Sequence, residues 1–280
     1  MVCLLSLWFS RIFTRPLTRL ATAVRRVSAG ERGVAVPVTS KDEIGDLGSA
    51  FNDMSNTLAI KQELIDEQRK EIDDLLASLM PEPLARRYRD GEENISGDYR
   101  DVSVIYAEVV GFDEFARATS ADDSVGLLNS LIEGIDEAAE RHGIERVRHL
   151  HNGFLATCGL VVPRVDHASR TVAFAGELTE IIERTNAQHS AELAIRAGID
   201  SGSVSSGLLG QRARVYDLWG EAVDLAHRVH GATNAPGVFV SGRVYDELNG
   251  IYSFAPAGTV TSTSGTESIW SLELSARRPV

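Results

Sequence analysis

The hydrophobic residues near the start of the chain repeat with a helical period. Between residues 16 and 28 they recur in steps of three and four, at Leu17, Leu20, Val24 and Val27. A second helix is predicted after Ser40, a capping residue that is followed by acidic side chains. Its apolar positions are Ile44, Leu47, Phe51, Met54 and Leu58. Two short amphipathic helices cannot bury these stripes alone, so we expect them to pair with a second copy of the chain.

The spacing changes to seven residues beyond the second stripe. The repeat runs through Leu58, Ile65, Ile72 and Leu79, with charged residues between them. A step of seven in register with the preceding helix favours a parallel coiled coil. The alternative is a single solvated helix with a chance repeat. Prolines at positions 81 and 83 are expected to end the rod.

From about residue 99 the pattern alternates between strands and helices. Strands are predicted at residues 102–110, 146–150, 154–162, 193–199 and 203–209, and helices at 121–142, 166–188 and 222–233. The last two strands are expected to join at a turn of residues 200–202. The order β-α-β-β-α-β predicts an α+β domain with a ferredoxin-like sheet.

Composition limits the function classes. Forty acidic residues against 28 basic ones give a net charge of −12. Nucleic-acid binding needs an excess of Lys and Arg to neutralise phosphates, so we expect no nucleic-acid partner. The two cysteines, Cys3 and Cys158, lie far apart and lack the spacing of a thiolate metal site or a disulfide framework, which indicates a reducing compartment.

The first 13 residues, MVCLLSLWFSRIF, are apolar. They are too few to span a bilayer, which needs about 20 residues, and a basic start and a cleavage site are missing. We interpret residues 1–13 as the end of a transmembrane helix, with Arg11, Arg15 and Arg19 on its cytoplasmic side. The protein is then expected at the cell membrane, with its catalytic domain in the cytoplasm. The alternative is a short amphipathic start.

Residues 14–60 resemble the HAMP domain of bacterial membrane receptors. The matching features are Pro16 opening the first helix, Gly30 ending it, DEIG at residues 42–45 and FNDM at residues 51–54. The resemblance implies a parallel four-helix bundle that passes a signal from the membrane to an output domain.

Five segments farther along carry a second resemblance. They are LMPEPLARRYRDGE, YAEVVGF, VRHLHNGFLA, IRAGIDSGSVSSGLLG and YDLWGEAVDLAHR. In this order they resemble the class III nucleotidyl cyclases over residues 75–275, and the first is similar to the transducer element that precedes such domains. We therefore assign residues 61–98 to a coiled coil and transducer linker, and residues 99–280 to a nucleotide cyclase catalytic domain.

The resemblance implies a reaction and its requirements. Cyclases of this class convert ATP or GTP into a cyclic nucleotide and pyrophosphate, when the ribose 3′-hydroxyl attacks the α-phosphorus. Two divalent cations, Mg²⁺ or Mn²⁺, hold the reacting oxygens and want carboxylate ligands. The sites form between two domains, so the expected partners are the nucleotide, a second copy of the chain in a homodimer, and the membrane through the N-terminal helix.

Two positions correspond to the metal-binding aspartates of the family. Glu108 matches the first, at the end of a strand, but its side chain is longer by one methylene. Asn152 matches the second and keeps an oxygen but loses the charge. The resemblance therefore implies a degenerate two-metal site for Mg²⁺ or Mn²⁺.

Four further positions match substrate-binding residues. Arg148 corresponds to the purine-reading lysine and Asp217 to the purine-reading aspartate. A cation at position 148 favours ATP, because family members that use GTP tend to carry an acid there. Gly111 and Phe112 match the turn that cradles the phosphates, where backbone N–H groups approach an anion closely.

The catalytic pair of the family corresponds to Asp224 and Arg228. Arg228 matches the arginine that stabilises the transition state. Asp224 takes the place of an asparagine that orients the ribose, and an anion there repels phosphate. Changes at this position and at the metal ligands predict low activity.

Each candidate residue also has a structural explanation. Glu108 can serve in an ion pair with Arg148 or Arg228, and Asn152 before a glycine is ordinary turn chemistry. Asp217 can be a loop acid, and an arginine on a helix, such as Arg228, is usually solvated. Two functions follow: a membrane-tethered cyclase that makes cyclic AMP from ATP with reduced activity, or a weak or inactive pseudo-cyclase that acts as a dimeric signalling and regulatory module.

Overall fold

The computed structural model describes residues 14–80, 82–92, 95–150, 152–210, 215–262 and 265–277. The chain divides into two compact units, Met1–Leu75 and Leu76–Val280. The predicted end of a transmembrane helix, residues 1–13, lies outside the described residues. Of the helices that are described, none is long and apolar enough to cross a membrane.

The first unit contains two helices that follow the predicted stripes. Helix α1 spans Arg15–Ser28, with a proline in its first turn, and helix α2 begins at Glu43. Ala23, Val34 and Phe51 form a small buried cluster between the two helices and their connector. Asn52 fixes the connector, because its side chain donates to the Val36 carbonyl at 2.9 Å and accepts from the Val36 N–H at 2.8 Å.

The cap of α2 differs from the prediction. The carboxylate of Asp42 accepts hydrogen bonds from the N–H groups of Ile44 at 3.1 Å and Gly45 at 3.2 Å. Asp42 therefore takes the capping role predicted for Ser40, because it directly precedes the first helical residue and its side chain reaches the free N–H groups of the first turn.

Helix α2 continues without a break from Glu43 to Leu79. It carries the seven-residue repeat, and in a single chain the repeat is largely exposed: Leu58 is 47% exposed, Ile65 43% and Ile72 53%. A coiled coil predicts such exposure in a single chain, because the apolar stripe would be covered by the same stripe of a second chain.

The second unit is built on one sheet. Its helices are α3 (Glu82–Arg89), α4 (Phe112–Ala118), α5 (Ala121–His142), α6 (His167–His189), α7 (Glu221–Gly231) and α8 (Gly242–Leu248). Its strands are β1 (Ser96–Val110), β2 (Glu145–Leu150), β3 (Gly153–Cys158), β4 (Ala194–Leu209), β5 (Val215–Trp219), β6 (Gly237–Ser241), β7 (Tyr252–Ser262) and β8 (Gly265–Arg277).

The sheet confirms the ferredoxin-like prediction. Its described strands run in the order β2-β3-β1-β4-β6-β8-β7, and β5 also pairs with β4. Strand β1 lies between β3 and β4, antiparallel to both. Side chains alternate across β1, so Ile105 and Ala107 pack against α5 and α6, whereas Val102 and Val104 pack on the opposite face with α7.

Residues 200–202 do not form the predicted turn. Strand β4 runs through them for 16 residues. The Asp200 side chain is fully buried, where Ser241 donates to it at 2.6 Å and Arg243 at 2.9 Å. These partners let a carboxylate occupy the interior of a strand, although burial raises its pKa. A polar Asp-Ser-Gly run is typical of turns, and the sequence did not reveal the partners that keep it extended.

The backbone of helix α7 lies directly against the backbone of β4. A Cβ atom on Gly198 would lie 2.3 Å from both the Ala226 carbonyl oxygen and the His230 nitrogen. Only a residue without a side chain allows this approach. The helix that carries two of the predicted catalytic residues therefore rests directly on the central sheet.

Candidate active site

Glu108 lies near the end of β1, directly opposite Arg196 in the β1–β4 register. Its Oε2 atom accepts a hydrogen bond from the Arg196 guanidinium and contacts His230 Nε2 at 3.0 Å. All three side chains are largely buried, with 28% of Glu108, 18% of Arg196 and 10% of His230 exposed. The carboxylate in this apolar strand is thus held by a guanidinium and an imidazole.

The electrostatics of this cluster define its charge state. Burial alone would raise the pKa of Glu108, but the hydrogen bond and positive charge of Arg196 outweigh it and the pKa is lowered. Burial, followed by the charge of Arg196, lowers the pKa of His230. At neutral pH Glu108 is therefore ionised and His230 is neutral. The ion-pair partner is Arg196 and not Arg148 or Arg228, which have other partners.

Asn152 lies in the turn between β2 and β3, next to the end of β1. Its backbone carbonyl accepts a hydrogen bond from the N–H of Val109 at 2.6 Å. Asn152 and Glu108 line one cavity of about 250 Å³. The remaining lining residues are Tyr106, Ala107, Leu150, Gly153, His227 and His230. The structure brings the two predicted metal ligands together at this cavity.

The cavity wall also contains an aromatic group. The ring of Tyr106 lies edge-on to His227, with centroids 4.7 Å apart, and 4.9 Å from His230. His227 is exposed and His230 is buried, so the two imidazoles that α7 contributes to the cavity lining differ in their access to solvent.

The donor set is a weak one for a pair of divalent cations. Mg²⁺ and Mn²⁺ favour several oxygen ligands, mainly carboxylates. Glu108 contributes one carboxylate that already neutralises Arg196, and Asn152 contributes a neutral amide. Among the residues described, no group of three or more His, Cys, Asp or Glu side chains could hold a metal ion. The two-metal site expected from the family is therefore incomplete in one chain.

Arg148 and Asp217 form an ion pair. Arg148 lies on β2 and Asp217 on β5, and Arg148 Nη1 donates to Asp217 Oδ2 at 2.9 Å. Asp217 Oδ1 accepts from the N–H of Leu218 at 2.9 Å. Asp217 is therefore a strand residue with a fixed carboxylate and not a loop acid. The structure joins two side chains that are 69 positions apart.

Asp224 and Arg228 lie one turn apart on α7, and both are exposed. Arg228 Nη1 donates to the carbonyl oxygen of Thr261 on β7 at 3.0 Å. This contact holds the guanidinium against the backbone of β7. Asp224 and Arg228, like Arg148 and Asp217, lie outside the cavity of Glu108 and Asn152.

Gly111 and Phe112 form the turn from β1 into α4. Gly111 has φ = 94°, and a Cβ atom there would lie 2.6 Å from the carbonyl oxygen of Glu192. The backbone therefore requires glycine at this position for both conformation and space. Phe112 is the first residue of α4 and packs against the core between the sheet and helices α5 and α6.

Comparison with known proteins assigns this architecture. The family described as "Adenylate and Guanylate cyclase catalytic domain" matches residues 95–272, more than half of the chain. The chain belongs to this cyclase family. A HAMP domain precedes the catalytic domain, since the HAMP family matches residues 8–59. The catalytic domain is of class III and is a phosphorus–oxygen lyase by family, preceded by a helical signalling region.

Curated relatives of the cyclase include an adenylate cyclase of Mycobacterium tuberculosis, 32% identical over 175 residues. The match covers 62% of this chain and 40% of that protein. The chain thus spans about two fifths of the length of the relative.

Solved structures share the fold of the cyclase. The guanylate cyclase domain of RhGC from Catenaria anguillulae, in complex with GTP, has a TM-score of 0.58 and 27% identity, and covers 65% of this chain and 100% of that domain. The catalytic core of a rhodopsin-guanylyl cyclase with converted specificity, in complex with ATPαS, has a TM-score of 0.57 and 27% identity, and covers 63% of this chain and 97% of that core.

Sequence reasoning missed the residues that hold Glu108. Arg196 interrupts the apolar strand LAIRAGI, and His230 follows Arg228 on the same helix. A lone cation within a buried strand requires an anionic partner, and that signal was available. The pairing itself depends on the register of β1 against β4, which a single sequence does not specify.

Proposed function

We propose that this protein is a HAMP-linked nucleotidyl cyclase that converts ATP to cyclic AMP and pyrophosphate. The observation that carries the proposal is the Arg148–Asp217 pair, in which a cation and a carboxylate lie side by side at the positions of the family's purine-reading residues. Adenine offers an acceptor at N1 and a donor at the 6-amino group, which complement this pair. The solved relative that contains ATPαS supports an adenine nucleotide in this fold.

The chemistry requires few groups from the chain. The ribose 3′-oxygen forms a bond to the α-phosphorus, the bond from the α-phosphorus to the bridging oxygen breaks, and pyrophosphate leaves; the hydroxyl proton passes to water. Arg228 stabilises the negative charge that develops on the phosphoryl oxygens. In this proposal, backbone N–H groups of the turn at Gly111 and Phe112 bind the phosphates.

A second copy of the chain completes the site in this proposal. The cavity of Glu108 and Asn152 and the pair of Arg148 and Asp217 are separate in one chain. Two chains that face each other can bring the cavity of one to the base-reading pair of the other. The dimer would also bury the exposed repeat of α2.

The HAMP domain gives the proposal its cellular setting. We propose that the protein is tethered to the cell membrane through residues N-terminal to α1, with the cyclase in the cytoplasm. Signals from the membrane would then reach the catalytic domain through α1 and α2. The proposed boundaries are residues 1–13 for the membrane segment, 14–60 for HAMP, 61–98 for the coiled coil and linker, and 99–280 for the cyclase.

A specific observation favours a second candidate, a pseudo-cyclase that binds nucleotide and regulates without fast chemistry. Glu108 is engaged by Arg196 and His230, and Asn152 carries no charge. Asp224 places an anion at the position of the family's ribose-orienting asparagine, where a negative charge would repel phosphate. Together these features predict slow turnover and a preference for Mn²⁺, whose coordination is more forgiving than that of Mg²⁺.

The test is direct. Cyclic AMP formation by the full chain is measured with Mg²⁺ and with Mn²⁺, beside Arg228→Ala and a control, Arg117→Ala, whose exposed partner Glu114 lies 3.5 Å away on α4. We expect product with Mn²⁺, a loss of about 100-fold in Arg228→Ala and no loss in the control. Equal amounts of cyclic AMP from the wild type and Arg228→Ala would exclude the cyclase proposal and favour the pseudo-cyclase.

A gain-of-function variant tests the metal position. Asn152→Asp adds a carboxylate to the cavity that Glu108 lines, and we expect it to raise the rate and reduce the preference for Mn²⁺. Asn152→Ser is the matched control, since it removes the amide without adding charge. A lower rate in Asn152→Asp than in Asn152→Ser would contradict the assignment of this cavity.

A further inference from the structure

We propose that the β7–β8 hairpin is a positioning element for Arg228, and that the backbone carbonyl of Thr261 orients its guanidinium for the reaction. The inference rests on the proposed function for the role of Arg228 in charge stabilisation. It adds Thr261 and Val260 as positioning residues, which act on the nucleotide only through Arg228.

The hairpin extends beyond the rest of the sheet. Strand β6 ends at Ser241, which lies opposite Ile269 of β8. Beyond this point, residues 259–262 of β7 pair with residues 265–268 of β8 and, in the described part of the sheet, with no third strand. A two-stranded ribbon is only marginally stable by itself. This end of the hairpin therefore depends on packing against a neighbouring element.

That neighbouring element is helix α7. Val260 packs against a buried apolar cluster that contains Leu225 and Val229 of α7. The next residue of β7, Thr261, is exposed, as expected when side chains alternate between the two faces of a ribbon. Because Val229 directly follows Arg228 in the chain, the hairpin contacts α7 at the turn that carries the guanidinium.

The contact with Arg228 differs in charge from those of other arginines near the site. Arg228 Nη1 donates to the carbonyl oxygen of Thr261 at 3.0 Å. This acceptor is neutral, so it can orient the guanidinium without neutralising it, whereas Arg148 and Arg196 are each bound to a carboxylate. The other N–H groups of Arg228 have no hydrogen-bond partner among the described residues. They can therefore bind phosphate oxygens.

Orientation before binding matters for a side chain of this kind. An exposed arginine samples many rotamers, and holding it in one of them costs conformational entropy. The Thr261 carbonyl restricts these rotamers before the nucleotide arrives. A donor that is already oriented stabilises the charge of a transition state more effectively. We therefore expect the hairpin to affect the rate of conversion more than the affinity for the nucleotide.

The experiment weakens one carbonyl without changing a side chain. An ester replaces the amide between Thr261 and Ser262, because an ester carbonyl is a weaker hydrogen-bond acceptor than an amide carbonyl. The matched control is an ester between Thr259 and Val260. Both esters remove one N–H of β7, but only the first alters the carbonyl that Arg228 contacts. Each protein is made as the full chain by ligation of a synthetic C-terminal segment, with and without Arg228→Ala.

We expect the ester between Thr261 and Ser262 to lower kcat about three- to tenfold, the effect of one hydrogen bond, and to change KM less than about twofold. The control ester should change both constants less than about twofold. In the Arg228→Ala background the first ester should cause no further loss, because the group that it positions is gone. Val260→Ala, which loosens the hairpin on α7, should show the same dependence on Arg228.

Two kinetic outcomes would overturn the inference and leave the proposed function standing. The first is an unchanged or higher kcat with the ester between Thr261 and Ser262, and a higher value would show that the carbonyl restrains Arg228. The second is an equal loss from the two esters, or a loss that persists in Arg228→Ala. The hairpin would then act on the whole domain and not on the guanidinium.

Nuclear magnetic resonance of the arginine side chains gives a measurement that does not depend on activity. The Arg228 signal is assigned by its loss in Arg228→Lys. We expect slow rotation of the guanidinium in the wild type and faster rotation with the ester after Thr261. Rapid rotation in the wild type overturns the inference, whether or not product forms. Absence of cyclic AMP from the wild type overturns the proposed function, and the positioning role with it, even where rotation is slow.

Discussion

Glu108 and Arg196 face each other across β1 and β4, and the guanidinium of Arg196 is bound to the carboxylate of Glu108. Each is the single charged residue of an otherwise apolar run, YAEVVGF in one strand and LAIRAGI in the other. The pair neutralises two charges that the sheet would otherwise bury alone.

Removing one member of this pair should destabilise the catalytic unit. We expect Glu108→Ala to lower the free energy of unfolding by about 1–3 kcal/mol, because Arg196 is left largely buried without its partner. Glu108→Gln should cost less, since an amide oxygen can still accept. Urea unfolding followed by circular dichroism measures both. Glu114→Ala, which breaks an exposed pair with Arg117, should leave stability unchanged; an equal loss in this control would contradict the argument.

The imidazole of His230 should make stability depend on pH. Burial and the charge of Arg196 hold its pKa below the usual 6.5 in the folded chain. Below pH 6.5 the unfolded chain therefore binds a proton that the folded chain does not, and stability falls as the pH decreases through this window. The groups that face His230 are Glu108, Arg196, His227 and Tyr106.

The measurement compares wild type with His230→Gln. Free energies of unfolding are taken at about pH 7.5, 6.5 and 5.5. We expect the free energy of unfolding to fall more in the wild type than in the variant between the highest and the lowest pH. Parallel profiles for the two proteins would show that His230 does not titrate differently in the folded and unfolded chains.

Gly111 offers a matched comparison with Gly91. Both have positive φ, 94° and 90°, but a Cβ atom on Gly111 would lie 2.6 Å from the Glu192 carbonyl, whereas Gly91 has nothing within 4 Å. We expect Gly111→Ala to cost about 2–3 kcal/mol and Gly91→Ala about 1 kcal/mol. Thermal or urea unfolding measures both losses. The loss in Gly91→Ala reports backbone strain alone, and the additional loss in Gly111→Ala reports the steric clash. Equal losses would mean that β1 and the segment at Glu192 move apart easily.

The exposed repeat of α2 predicts a parallel dimer. Cysteines placed at Ile65 or Ile72 should cross-link two chains under mild oxidation, in a Cys3→Ser background. Cys158 should not react, because it is buried and its pKa is raised to about 11. Lys70→Cys, on the opposite side of the helix, is the control. Monomers from both repeat positions, or equal dimer from Lys70→Cys, would contradict the coiled coil.

Local periodicity predicted most of the fold. Helix α5 has the predicted bounds, and α6 starts and ends within one residue of its prediction, because both carry long amphipathic stripes. The ferredoxin-like order followed from the sequence of elements. The main failure lay at residues 200–202, where Asp200 finds its partners, Ser241 and Arg243, about 40 residues later in the chain. A long-range contact of this kind outweighs the turn preference of the local sequence.

The candidate site was predictable to the extent that its motifs are local. The YDLWG and VRHLHNG segments led to Asp217, Arg148 and Asn152. The hydrogen bond between Arg148 and Asp217 depends on the meeting of β2 and β5, and the pairing of Glu108 with Arg196 depends on strand register. Register is a property of the folded sheet, so the sequence pointed to the participants but not to all the contacts between them.

The contact at Gly198 limits how this protein can be regulated. Because α7 already touches β4 through its backbone, the helix has no room to move closer to the sheet. The helix that carries Asp224 and Arg228 is therefore at its closest possible approach to β4, the strand beside Glu108. In the dimer proposed above, a signal from the HAMP helices would therefore act by changing the distance or angle between two catalytic domains.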